Sequence, residues 1–158
     1  MLKVLICYHS RTGNTEKMAE KIAGVLNDEG LKVNTKKVED TNIEELLDYE
    51  CLIFGSPTYY GSMAWPLKKL LDESVKYHRK LQGKVGGAFS SAANVGGGNE
   101  TTILNIINAL LIHGMVVQGE PIGDHYGPVS IGPPDQRALK SCERYAQSIG
   151  TLVKRLFS

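Results

Sequence analysis

Residues 10–15 read Ser10, Arg11, Thr12, Gly13, Asn14, Thr15, a short run in which three side chains carry hydroxyls and one residue has no side chain. Such a run suits a phosphate. Gly13 relaxes the backbone so that successive amides turn inward, the hydroxyls donate hydrogen bonds, and a following helix adds its positive end. No lysine is needed for that grip, and Arg11 stands there as an auxiliary cation or as a solvated surface charge. The same residues also suit an ordinary capped turn, because Ser, Thr and Asn are common helix caps.

The spacing excludes several phosphate chemistries. The G-x-x-x-x-G-K-[ST] pattern of nucleoside triphosphatases is missing, and no G-x-G-x-x-G fingerprint follows the first apolar run. A thiol phosphatase needs cysteine and arginine at the two ends of the loop, whereas Cys7 falls inside the preceding apolar run and Arg11 comes only four residues later. A phosphoreceiver would need paired acidic residues at that point, and none are present. The loop holds a phosphate and does not cleave it.

Two further stretches have the composition of ligand loops. In 56–63, Pro57 stiffens the backbone, Thr58 adds a hydroxyl, Tyr59 and Tyr60 offer rings on which a flat ligand can stack, and Gly61 admits backbone geometries closed to other residues. Two tyrosines covering the end of a sheet would look the same. Trp65, just before a helix, either walls the same pocket or packs, and packing is the slightly favoured reading. In 90–101, Ser90, Ser91, Ala92, Ala93, Asn94, Val95, Gly96 and Gly97 form a small-residue stretch with no aromatic.

The elements that must position these loops follow from hydrophobic patterning. Lys3 to His9 is a β-rich run without turn residues, as expected of a strand buried on both faces. Met18, Ala19, Ile22, Ala23, Val25 and Leu26 fall on one helical stripe that Gly30 ends. A strand over 31–38, a short helix over 43–48 and a buried strand over 50–56 come next. Pro66 opens a helix striped by Leu67, Leu70, Leu71 and Val75, and 84–91 is a glycine-rich strand. Ile103, Ile106, Ile107, Leu110 and Leu111 mark a fourth helix ending at His113 and Gly114, and 115–119 is the fifth strand. A last helix from about Asp135 carries a stripe of Leu139, Cys142, Ala146, Ile149, Val153 and Leu156.

Alternating strands and helices give an α/β fold, a doubly wound parallel sheet with helices on both faces. All three loops then fall at the carboxyl ends of strands, where open sheets of this kind bind ligands. The 158 residues suit a single domain over 1–158, and 42% hydrophobic content supplies its core. A net charge of +1 gives no electrostatic case for nucleic acid or an anionic membrane. No run approaches a membrane span and the N-terminus lacks a signal pattern, so a cytoplasmic location is expected. Cys7, Cys51 and Cys142 have no zinc or redox spacing, no metal site is expected, and the three read as reduced structural thiols.

Taken together, the three loops resemble those of flavodoxin-like FMN proteins, in which a [ST]-x-T-G-x-T loop holds the cofactor's phosphate. "GSPTYYGSMAWPLKKLLD", "FSSAANVGGGNETT" and "HGMVV" resemble most closely the NAD(P)H:quinone oxidoreductases named after the Trp-repressor-binding protein. The resemblance covers nearly the whole chain. It implies a five-stranded sheet of order 2-1-3-4-5, with FMN phosphate on Ser10 to Thr15, the reactive side of its ring on Pro57 to Gly61, and its pyrimidine end on Ser90 to Gly97. It also implies a peptide beside Gly61 that rotates on reduction, and a role beside the ring for His113. A histidine before glycine at a helix end is equally a favourable cap. His9, His78 and His125 show no partner pattern.

Two functions compete on this fold. One is an oxidoreductase passing electrons from NAD(P)H through FMN to a quinone-like acceptor, the two substrates using the same open face in turn. The other is a flavodoxin-type carrier shuttling single electrons to a redox protein partner. The near-neutral charge lacks the acidity with which carriers steer toward basic partners, and the ring-free third loop leaves one cofactor face open; both favour the enzyme. A non-catalytic FMN-binding module is a third reading that no residue favours. The stretches 39–50 and 119–135 are shorter than in the quinone reductases, where such segments support a homo-oligomer and part of the substrate pocket.

Overall fold

The computed structural model describes all 158 residues. Strand β1 (Lys3–Tyr8) alternates its side chains between two cores, Val4, Ile6 and Tyr8 on one face and Leu5 and Cys7 on the other. Helix α1 (Asn14–Asp28) buries Met18, Ala19, Ile22, Ala23 and Leu26, while Val25 is only half-buried. Strand β2 (Lys32–Lys37) pairs with β1 in parallel and forms one edge. The expected short helix over Ile43–Asp48 is a 3₁₀ helix that buries only Leu46.

Strand β3 (Cys51–Tyr59) runs past the expected end, and its last residues turn back through Tyr60 and Gly61 into β4 (Ser62–Met63), an antiparallel hairpin that the sequence reading missed. Helix α2 (Trp65–Glu73) buries Leu67, Leu70 and Leu71. Val75 was assigned to that stripe but is 69% exposed, because the helix tightens to 3₁₀ geometry at Ser74 and rotates the position outward. Strand β5 (Val85–Ala92) is buried throughout and runs parallel beside β3. Two of its contacts require glycine: a Cβ on Gly55 would enter the Phe89 ring, and one on Gly87 would overlap the Tyr145 hydroxyl.

Helix α3 (Asn99–Ile112) returns along the sheet, burying Ile103, Ile106, Ile107 and Leu110 and leaving Leu111 exposed. The fifth strand position is split. Strand β6 (Val116–Val117) pairs with the start of β5 and β7 (Val129–Ile131) with its end, so residues 118–128 leave the sheet and return. The reading of 115–119 as the whole fifth strand is therefore corrected. Asp124 anchors the excursion, accepting hydrogen bonds from the Val129 amide, from Arg137 and from the Ser141 hydroxyl. Helix α4 (Gln136–Phe157) is capped by Asp135, and its buried stripe ends at Val153, with Leu156 exposed.

With β4 set aside as a hairpin, the parallel order β2-β1-β3-β5-β6 is the expected 2-1-3-4-5. One core lies between the sheet and the α1 and α4 face, the other beneath α2 and α3. The three cysteines are buried and unpaired, and burial pushes the thiols of Cys7 and Cys142 up to about 12.

Candidate functional site

The site lies where β1, β3 and β5 end on the same edge of the sheet. Helix α1 starts there from Gly13, whose left-handed backbone (φ 95°) turns the chain and which itself offers no capping side chain. The Ser10 hydroxyl oxygen accepts from the Gly13 amide at 3.2 Å and the Glu16 amide at 3.3 Å, which leaves its own proton free to donate outward. The amides of Asn14 and Thr15 find no acceptor in the chain. Thr12 and Arg11 are exposed at the lip.

Helix α3 repeats the device. Gly98 (φ 104°) precedes it, again without a side-chain cap, and the amides of Asn99, Glu100 and Thr101 also lack acceptors. Two helix ends with free amides, each carrying a partial positive charge, therefore open toward one edge. Behind the edge both ends are tied to β5: the buried hydroxyls of Thr15 and Ser91 are 3.0 Å apart, and the Ser90 hydroxyl donates to the Asn99 carbonyl. Such an arrangement binds an anionic group by amides and hydroxyls, with Arg11 as the only cation of the first loop.

Between these ends stands the β3–β4 hairpin, with Pro57 and Thr58 half-buried and both tyrosine rings outside. Tyr59 is 38% exposed and Tyr60 fully exposed. Three residues of α3 clamp this hairpin. Thr101 Oγ1 lies 2.6 Å from the Gly61 carbonyl oxygen, the hydroxyls of Thr102 and Thr58 are 2.9 Å apart, and the Ser62 hydroxyl donates to Asn105 Oδ1 at 2.7 Å. The backbones are equally close, since a Cβ on Gly98 would come within 2.6 Å of Gly61 Cα. Sequence reasoning missed Thr102 and Asn105, although polar residues at i, i+1 and i+4 beside an apolar stripe mark one helix edge.

Within the third loop the structure divides the expected ligands. Ser90, Ser91 and Ala92 belong to β5 and are buried, with Ser90 donating to the Asn99 carbonyl. Only Ala93, Asn94, Val95 and Gly96 are exposed, with Gly97 half-buried at their end. On the other side of the hairpin, a cleft of about 650 Å³ is lined by His9, Arg11, Tyr59, Tyr60 and Trp65, among others. Of the two readings of Trp65, packing fails and the pocket wall is what the structure places: it lines this cleft and is 74% exposed, because it starts α2 on the outer side of the helix. His9 Nδ1 sits 2.7 Å from Glu39 Oε1. Burial opposes ionisation of Glu39, but hydrogen bonds from its own backbone and from His9 outweigh it and hold the carboxyl below its ordinary range.

His113 does not join these loops. It follows Ile112 at the far end of α3, about 21 Å from Asn99 for a helix of that length, so no single chain brings it to the same edge. It is buried there, with Nε2 2.7 Å from the Ser74 hydroxyl. Burial, and secondarily the neighbouring His78, lowers its pKa from the ordinary value and so favours the neutral ring. Its assignment to the pocket beside the cofactor is corrected on that geometry.

Comparison with known proteins agrees with this architecture. A family model described as Flavodoxin matches residues 6–102. A flavodoxin of Clostridium saccharobutylicum is 33% identical over 162 positions, covering 99% of this chain and 100% of the relative. An NAD(P)H dehydrogenase (quinone) of Archaeoglobus fulgidus is 30% identical over 190 positions, covering 99% of this chain and 100% of the relative. The solved structure of a flavodoxin from the domain Archaea is 30% identical with a TM-score of 0.81, covering 97% of this chain and 99% of that one. The family match spans more than half of the chain and both kinds of relative span nearly all of it, so this chain is a flavodoxin-like redox protein and belongs to the flavodoxin family.

Proposed function

We propose that the protein binds FMN at the three-loop edge and acts as a cytoplasmic oxidoreductase, passing electrons from NAD(P)H to a quinone-like acceptor. The observation that carries this reading is the pair of helix ends with five free amides, at Asn14, Thr15, Asn99, Glu100 and Thr101, opening beside a hairpin of exposed tyrosines. That donor set fits a phosphate monoester and a flat ring held side by side.

In this reading the Ser10 and Thr12 hydroxyls and the Asn14 and Thr15 amides hold the phosphate. Tyr59 and Tyr60 flank the ring, the clamped Gly61 segment positions its reactive edge, and Ala93 to Gly97 close its other end. FMN, when bound, supplies the hydride and electron-transfer chemistry; the chain supplies position and exclusion of water. No aromatic in 93–98 covers the outer face, which leaves room for a planar nicotinamide and then for the acceptor. Relatives named NAD(P)H dehydrogenase (quinone) support this use of the site.

A second reading is a flavodoxin-type electron carrier. Tyr60, Trp65 and Val95 expose large apolar surfaces around the edge, as a protein-docking rim would. One experiment separates the two. The purified protein is loaded with FMN and its visible spectrum recorded, and NADH or NADPH is then added with benzoquinone. Rapid nicotinamide oxidation is the enzyme's result. Bound flavin that ignores both nicotinamides but accepts electrons from a partner reductase is the carrier's result, and failure to bind FMN overturns both.

A further inference from the structure

We propose that the cavity between α2 and α3 is a second small-molecule site, for a neutral ring-sized ligand bearing a hydroxyl group. The cavity measures about 630 Å³, within the range that holds ordinary small ligands. Its long wall is apolar, formed by Met63, Leu71, Val75 and Ile112, and two of these stay strongly exposed, Val75 at 69% and Ile112 at 72%. Its charges cancel: Lys68 donates to Asp72 at 2.7 Å, leaving neither charge free to select an ion.

The hydroxyl follows from the proton count at the His113 end. The Ser74 hydroxyl donates its only proton to the Leu71 carbonyl at 2.6 Å, so its oxygen must accept from His113, whose Nε2 therefore carries hydrogen. The neutral ring then has Nδ1 as a bare acceptor. That atom is buried and has no partner in the chain. His78, exposed with its ring centroid 6.1 Å from that of His113, lines the same cavity. A buried acceptor without a donor is unfavourable, and a ligand hydroxyl supplies the missing hydrogen while its ring covers Val75 and Ile112. The cavity reaches the back of the β3–β4 hairpin at Ser62, Met63 and Asn105, but its His113 end lies at the opposite end of α3 from the three-loop edge.

The test titrates the full-length protein with phenol and, separately, with benzene, following the imidazole ¹⁵N signals and the methyl groups of Val75 and Ile112 by NMR. Phenol is expected to shift the His113 Nδ1 signal and both methyls, and to bind about tenfold or more tightly than benzene. Val75→Trp, at an exposed position, is expected to block both probes while FMN binding is retained. His113→Phe is expected to reduce phenol to benzene's affinity. Equal affinity of the two probes, an unmoved Nδ1 signal, no binding up to phenol's solubility, or Val75 and Ile112 signals that change with protein concentration because a second copy covers them would each overturn the proposal.

Discussion

Replacing Gly13 by alanine isolates the contribution of the backbone at the head of α1. Gly13 has φ 95° and ψ −4°, and a Cβ built on it meets nothing within 4 Å. The substitution therefore introduces no clash, and its whole penalty is the left-handed conformation, roughly 1–2 kcal/mol for an L-residue. A less flexible unfolded chain returns ~0.4–1 kcal/mol, so the net loss is about 1 kcal/mol. That loss can be divided between two quantities. If the loop keeps its shape, the free protein is destabilised by about 1 kcal/mol, a few degrees in Tm for a domain of this size. If the loop relaxes, FMN must restore it, and affinity falls by up to about fivefold instead. Urea unfolding of the apoprotein and FMN titration by flavin fluorescence measure the two parts, whose sum should be close to 1 kcal/mol. Gly13→Asn should be close to neutral in both, because asparagine tolerates this region. Alanine that is neutral in both assays, or asparagine as damaging as alanine, would refute the reasoning.

Thr15→Val removes the hydroxyl that meets Ser91 and should lower urea stability by about 1–2 kcal/mol, with weaker FMN binding because the two loops lose their tie. Gly87→Ala should destabilise by about 1–3 kcal/mol through overlap with the Tyr145 hydroxyl, and Tyr145→Phe in the same chain should recover part of that in thermal unfolding. His113 has a lowered pKa in the folded chain, so the unfolded chain binds its proton first. Stability from this residue is present above the ordinary value of 6.5 and declines as pH falls below it, and His113→Gln should flatten that slope in unfolding experiments between pH 7 and 5. Asp124→Ala should release residues 118–128, read as faster amide exchange at Val129.

Much of this was legible in the sequence because it rests on local patterns. The apolar stripes of α1 and α4 and the uninterrupted runs of β1, β3 and β5 each report burial through spacing alone, and Gly13 marks its turn by type. What was not legible depends on distant partners. The β4 hairpin exists because α3 holds it through Thr101, Thr102 and Asn105, some forty residues later in the chain. Val129 to Ile131 lack strand length and pair only because β5 offers a vacant edge beyond β6. His113 matched a motif, but a motif carries no direction, and the direction of α3 decides which end of the sheet its last residue reaches.

The split fifth strand also governs how the molecule resists aggregation. One margin of the sheet offers only the two residues of β6 and the three of β7, interrupted by an eleven-residue excursion over 118–128, and the other is β2, with Lys32 and Lys37 exposed along it. Neither presents the long, flat, uncharged ribbon that a foreign strand needs as a template. Self-association of the native protein must then use helix faces, and edge-to-edge fibril growth requires the sheet to open first.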